Sequence, residues 1–421
     1  MGEIETPDLE QRETERRWIL HKRSAAVLAI IIILNALPAL ATDMYLAALP
    51  EMSIELDAPV SLLNLNLILF FLFYGIGLLL WGPLSDKYGR RPALIAGMAA
   101  FVIFSILCGL STNVYELIVF RALQGIFGGV AVAVSTAMVR DIYDGHERER
   151  AFAMVSMMMA LGPVIAPIVG AALLQVITWN GIFYLLAAIG MVALVGCVLM
   201  EESIPQRADR RILAALAQLG VVLRNRKFSN LLPSLSPLGI IIFVWVGTST
   251  YILIDDFGLS KGEFSLFFAA NGMFLLIGPF LYLILARYFD RLKIVAASIA
   301  VIVISGILIM TLGELGPIPF LLSVIPATLA VSVTRPPSFD IALSQMDTDI
   351  GSASSIFNFL FMAIGAGGMM IASLEWQSRI AVMGIIFAVV GIFSLFAWLA
   401  VYKQYSSEPE ESHQLESVGG K

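Results

Sequence analysis

Gly82-Pro83-Leu84-Ser85-Asp86-Lys87-Tyr88-Gly89-Arg90-Arg91-Pro92 is a charged stretch wedged between two long apolar runs. Gly82 and Gly89 permit close backbone approach or positive φ, and Pro83 and Pro92 punctuate helix ends, so the stretch reads as a short hairpin. Three cations beside one carboxylate hold such a hairpin at the inner face of a membrane. A loop that only anchors topology needs nothing beyond Lys and Arg, whereas this order of Gly, Asp, Gly and paired Arg asks for more.

The sequence around the hairpin has 421 residues, 59% of them hydrophobic and 14% charged, which is too little polar surface for a soluble globule. A helical span needs about 20 apolar residues. Twelve segments of that kind fit, at roughly 24–50, 61–82, 93–111, 115–140, 150–176, 180–200, 229–254, 263–287, 294–312, 318–341, 352–374 and 379–402. The expected fold class is therefore an all-α polytopic membrane protein with twelve transmembrane helices in two six-helix halves. Residues 1–23 form a cytosolic tail, 24–200 the first bundle, 201–228 a cytoplasmic linker rich in Arg, 229–402 the second bundle and 403–421 a second cytosolic tail. Ala39-Leu40-Ala41 looks like a leader cleavage site, but the acid-rich start and a helical pattern continuing through Asp43 and Tyr45 to Pro50 argue against one.

Orientation follows from the basic residues. With this threading, 22 of the 26 Lys and Arg lie on one side and only Lys261 and Arg379 on the other, so both termini are expected in the cytoplasm of a cell whose inner membrane holds the chain. Cys108 and Cys197 lie in apolar runs, and His21, His146 and His413 lie in polar flanks. No disulfide framework, metal site, cofactor or nucleic-acid partner is expected from such a pattern.

A weak internal repeat is visible. Arg287 to Lys293 follow the eighth span as the opening hairpin follows the second, and Gly162-Pro163 in the fifth span corresponds to Ala366-Gly367 in the eleventh. Such a repeat predicts parallel halves with a substrate site near mid-depth.

An ionisable side chain inside a span costs about 2.5 to 3.5 kcal/mol on insertion scales, so each one asks for a reason. Asp43 lies well into the first span, and Arg121 lies near the outer start of the fourth, which runs the opposite way. The two share a depth, and a pairing, direct or through water, is expected to tune Asp43 for proton exchange. Two blander roles remain: Asp43 as the mark of a fraying helix end before Pro50, and Arg121 as a buried strut. Asn35, Tyr74, Gln124, Trp245, Asn271 and Asn358 are polar or aromatic residues within spans, able to line a cavity or to bond helices together.

Thr42-Asp43-Met44-Tyr45-Leu46-Ala47-Ala48-Leu49-Pro50, Arg121-Ala122-Leu123-Gln124-Gly125, Arg140-Asp141-Ile142-Tyr143 and the Gly162-Pro163 to Gly170 stretch resemble the bicyclomycin and chloramphenicol-resistance branch of the drug:proton antiporters. The opening stretch resembles the signature between the second and third spans of the major facilitator superfamily, to which that branch belongs. The resemblance covers the N-terminal half and is loose in the C-terminal half. It implies proton coupling and substrate handling by Asp43 and Arg121, with Tyr45 in the cavity. It also implies conformational gating by Gly82, Asp86, Gly89, Arg90, Arg91, Arg140, Asp141, Gly162, Pro163 and Gly170. Pro167 is an addition to the fifth-span motif and alters its packing.

The tenth span holds Thr334-Arg335-Pro336-Pro337, with Asp340 shortly after, and the double proline is expected to break the helix. If the span ends at Thr334, Arg335 is an anchor that snorkels to the interface, which is the favoured reading. If the helix continues, Arg335 meets an anionic substrate group or pairs with Asp340.

The function expected is proton-coupled antiport of small, mostly apolar molecules, drugs such as amphenicols among them. The partners are substrate, protons and the bilayer, and the unit is a monomer. A second reading is export of an endogenous polar metabolite or carboxylate siderophore, and a remote one is a non-transporting sensor. An enzyme is not expected, since the sequence has no His-Glu-x-x-His pattern and no phosphate-binding glycine loop.

Overall fold

A computed structural model describes residues 25–204, 212–346 and 350–406. The two expected tails, but for residues 403–406, lie outside the described residues, as do His21, His413 and the linker cations Arg207, Arg210 and Arg211.

Among the described residues twelve helices are long and apolar enough to cross a membrane: Ala25–Glu55, Val60–Tyr88, Arg90–Leu110, Val114–Ile142, Gly145–Leu173, Trp179–Leu199, Arg226–Asp256, Lys261–Leu285, Arg291–Leu315, Pro317–Leu343, Ile350–Ala372 and Arg379–Tyr402. No strand forms among the described residues. Helices satisfy every backbone polar group within the segment, which hydrocarbon requires. Their ends are set by local chemistry. Asn113 caps the fourth span by accepting from Glu116 N at 3.0 Å, and Asp290 caps the ninth by accepting from Leu292 N at 2.7 Å.

Two compact units divide the chain, Met1–Ala217 with Leu259–Ala269, and Gln218–Gly258 with Ala270–Lys421. In the first unit the second span packs on the fourth, the third on the sixth and the first on the fifth. Within the second unit the ninth span packs on the twelfth and the seventh on the eleventh, the same choice of partners six spans later.

Small residues make these contacts close. A Cβ on Gly125 would strike the Phe70 carbonyl, and one on Gly129 would come within 2.9 Å of Gly77, so the second and fourth spans meet backbone to backbone. Gly170 of the fifth span seats likewise on the Met44 backbone of the first, while Gly162 receives the Ala39 side chain, and Gly365 and Gly368 of the eleventh receive the side chains of Phe243 and Ile240 of the seventh.

Three expectations are corrected. The hairpin between the second and third spans is tighter than the expected span limits at 82 and 93: the second span runs through Pro83 to Tyr88, Gly89 alone turns the chain with φ 107°, and the third span begins at Arg90. Gly82 has no neighbour where a Cβ would stand, so it mediates no close approach. The first span is not one helix, because it ends at Asp43 and resumes as a 3-10 turn at Leu46–Ala48 and a helix at Leu49–Glu55. Pro50 cannot donate the amide that would bond the Leu46 carbonyl, and its ring would clash with that carbonyl in a continuous helix. The tenth span, conversely, does not break at Pro336-Pro337 but continues to Leu343. Proline φ suits a helix, and only two amide donors are lost.

Candidate functional site

The break in the first span places Asp43 at the last turn of its main helix, buried at 5% exposure. The Thr42 hydroxyl lies 2.9 Å from Asp43 Oδ1 and 3.0 Å from the Pro38 carbonyl. Both residues lie inside the helix, where a threonine hydroxyl commonly turns back on the carbonyls of the preceding turn. Gly170 of the fifth span, against the Met44 carbonyl, presses on the chain at the residue after Asp43.

Two residues beyond Asp43, the Tyr45 hydroxyl donates to Asn66 Oδ1 at 2.6 Å and accepts from Arg121 Nη2 at 3.3 Å. Arg121 is fully buried. Its guanidinium carbon stands 4.1 Å from the Phe70 ring centre, 5.1 Å from that of Tyr45 and 5.7 Å from that of Phe183. Nη1 donates to Gln124 Oε1 at 2.5 Å, Gln124 Nε2 donates to Ser105 Oγ at 2.7 Å, and Ser105 Oγ donates to the Phe101 carbonyl at 2.7 Å. An aromatic cage with neutral oxygen acceptors thus replaces the counter-ion a buried cation usually requires.

The direct Asp43 to Arg121 pair expected from their shared depth is not formed. Thr42 is the hydrogen-bond partner of Asp43, and Tyr45 and Gln124 are those of Arg121. The helix break is the reason: it ends the helix at Asp43 and sends Tyr45 across to the cation instead. Phe70, Phe183, Ser105, Asn66 and Thr42 belong to this constellation and were not legible as site residues. The Gly125 and Gly129 spacing was the available signal, since it fixes which face of the second span meets Arg121.

The other expected residues are spread. Asn35 Nδ2 donates to Ser135 Oγ and to the Ile31 carbonyl, both at 2.8 Å, bonding the first span to the fourth. Tyr74 stacks on Phe70 with centroids 6.0 Å apart, at the edge of the Arg121 cage. Trp245 stacks on Phe320, and Asn271 is buried on the eighth span. Arg335 lies inside the continuous tenth helix, where its Nη2 donates to Asn358 Oδ1 at 3.3 Å, so the interfacial-anchor reading is corrected. Asp340 pairs with Arg291 instead.

Two of the expected gating residues, Asp86 and Asp141, meet at Arg90, whereas Gly162, Pro163, Pro167 and Gly170 lie on the fifth span. Arg90 Nη1 meets Asp86 at 2.6 Å and Ser85 Oγ at 2.7 Å, and its Nε donates to Asp141 at 2.9 Å. Glu202 Oε1 accepts from the backbone N–H of Arg90 at 2.9 Å and of Ser203 at 3.0 Å. Arg91 Nη2 donates to the Val198 carbonyl at 2.6 Å, whereas Arg140 is exposed. Glu202 was missed because it lies far along the chain, at the end of the sixth span.

Twelve apolar helices that sequester ionisable side chains among close-packed glycines define a polytopic membrane protein. Residues 31–369 match the Major Facilitator Superfamily, and the chain belongs to that family. It is similar, at 28% identity over 388 residues, to the uncharacterized MFS-type transporter YdgK of Bacillus subtilis strain 168, covering 89% of this chain and 96% of that one. It is 26% identical over 358 residues to the bicyclomycin resistance protein homolog of Haemophilus influenzae, covering 82% of this chain and 88% of that one. Among solved structures, the D-xylose-proton symporter shares the fold, with a TM-score of 0.70 at 17% identity over 90% of this chain and 97% of that one. The protein is therefore a multi-pass membrane transporter of small molecules and not an enzyme.

Proposed function

We propose that this chain is a proton-coupled antiporter that exports small, mostly apolar molecules, amphenicols among them, from the cytoplasm by alternating access. It works as a monomer in the cytoplasmic membrane with both termini inside. One observation carries the reading: Asp43 is buried at a helix break with a hydroxyl, not a cation, as its partner.

A hydroxyl has one proton to donate and lone pairs to accept with, so it serves both states of a carboxyl. When Asp43 is ionised, Thr42 donates to it. With Asp43 protonated, the carboxyl donates to Thr42 Oγ1 and the threonine proton turns to the Pro38 carbonyl, 3.0 Å away. A fixed salt bridge would hold only the ionised state. The joint at Met44 and Tyr45 lets the surroundings of Asp43 change while the proton comes and goes. Similarity to a bicyclomycin resistance protein homolog supports a drug-like cargo.

Everted vesicles test the coupling. Asp43→Asn abolishes chloramphenicol-stimulated proton movement under an imposed pH gradient, while undiminished proton movement in that variant sinks the proposal.

A further inference from the structure

Arg335 has surroundings unlike those of Arg121. Both terminal nitrogens of Arg121 find protein acceptors, in Gln124 and Tyr45. Of the two in Arg335, Nη2 makes a long 3.3 Å bond to Asn358 Oδ1, and Nη1 is shut away from solvent without any partner. Two rings pack against the guanidinium carbon, Phe361 at 4.2 Å and Phe339 at 5.2 Å from their centres. One turn on, the Ser338 hydroxyl is also buried without a partner, and residues three apart are neighbours on a helix surface. The nearby carboxylate, Asp340, is committed to Arg291.

A cation in a span without a counter-ion is costly, and a planar fork of donors is suited to an oxyanion. Arg335 lies eight positions before the end of its helix at Leu343, about 12 Å along the axis at 1.5 Å per residue. That depth favours a solute over a lipid headgroup. The residue as a whole keeps part of its surface exposed, although Nη1 itself is covered.

We propose that Arg335, with Asn358 and Ser338, is a binding subsite for the acidic group, carboxylate or sulfonate, of an amphipathic substrate whose aromatic body packs beside Phe339 and Phe361. The inference rests on the exporter reading and extends the cargo to aromatic anions.

Calorimetric titration of the full-length protein in phosphatidylcholine nanodiscs with naphthalene-1-sulfonate, and with neutral naphthalene-1-sulfonamide, tests it. Arg335→Gln weakens sulfonate binding about ten- to hundredfold, the scale of a lost charged hydrogen bond, and leaves sulfonamide binding unchanged. Arg335→Lys, keeping the charge without the fork, recovers part of the loss. Asn358→Asp guards against a fold lost in the glutamine variant, because it gives the guanidinium a counter-ion; it too abolishes sulfonate binding and spares the sulfonamide. Failure of the wild type to bind the sulfonate, or equal effects on both probes, overturns the subsite. Loss of sulfonate binding when phosphatidylglycerol replaces phosphatidylcholine makes a lipid headgroup the occupant and overturns it as well. Intact sulfonate binding without any substrate-driven proton movement in vesicles defeats the antiporter reading alone.

Discussion

Arg121 reaches Tyr45 through Nη2 at 3.3 Å, and this contact ties the fourth span to the first at the point where the first span's helix is interrupted. The phenol is shared, since it also donates to Asn66 at 2.6 Å. Tyr45→Phe keeps the ring against the cation but removes both bonds. Leaving buried partners unmet costs about 1 to 3 kcal/mol, so the thermal unfolding midpoint falls, compared at one scan rate because large membrane proteins unfold irreversibly.

Thr42 is predicted to matter through its proton rather than its bulk. Thr42→Ser retains a hydroxyl beside Asp43 and keeps substrate-stimulated proton movement near the wild-type level. Thr42→Val has the same shape without the donor, and coupled flux falls about tenfold, the equivalent of roughly 1.4 kcal/mol. The ratio of proton to drug movement in everted vesicles reads the difference, and equal behaviour of the two variants removes Thr42 from the mechanism.

Two glycines that look alike in the sequence should behave oppositely. A methyl group on Gly170 meets the Met44 carbonyl, and overpacking of this kind costs about 1 to 3 kcal/mol, so Gly170→Ala lowers both stability and transport. Gly82 lies within the second helix with open space at its Cβ position. There Gly82→Ala is neutral or stabilises by up to about 1 kcal/mol through helix propensity, and transport is kept. Melting curves of the two purified variants make the comparison.

Arg90 joins Asp86, Ser85 and Asp141 with one planar fork, which an ammonium cannot reproduce. Arg90→Lys is expected to slow export several-fold while substrate affinity, measured by direct titration, stays unchanged. A loss of affinity equal to the loss of rate contradicts a gating role for the cluster.

The number of spans was legible because hydrocarbon imposes a length and an apolarity that few other constraints disturb. Asp43 and Arg121 stood out for the same reason, as charges where none is cheap. What escaped was geometry set by contacts between distant segments. The glycines at 77, 125 and 129 bring Phe70 onto Arg121, and nothing local to Phe70 announces it. Pro50 is plain in the sequence, yet its effect appears several residues earlier, where it separates Asp43 from the cation expected to pair with it. The prolines at 336 and 337 show the converse, since local propensity predicts a break that the surrounding span does not make.

Glycine contacts between the second and fourth spans leave no side-chain cushion for those two helices to slide upon. They are welded into one strut, and Arg121 is bolted to it with its aromatic cage. Any displacement of the acidic residue relative to that strut must therefore be taken up in the short joint at Met44 and Tyr45. Under the proposed function the elbow and the proton-binding carboxylate are neighbours, so stiffening the one is expected to throttle the other.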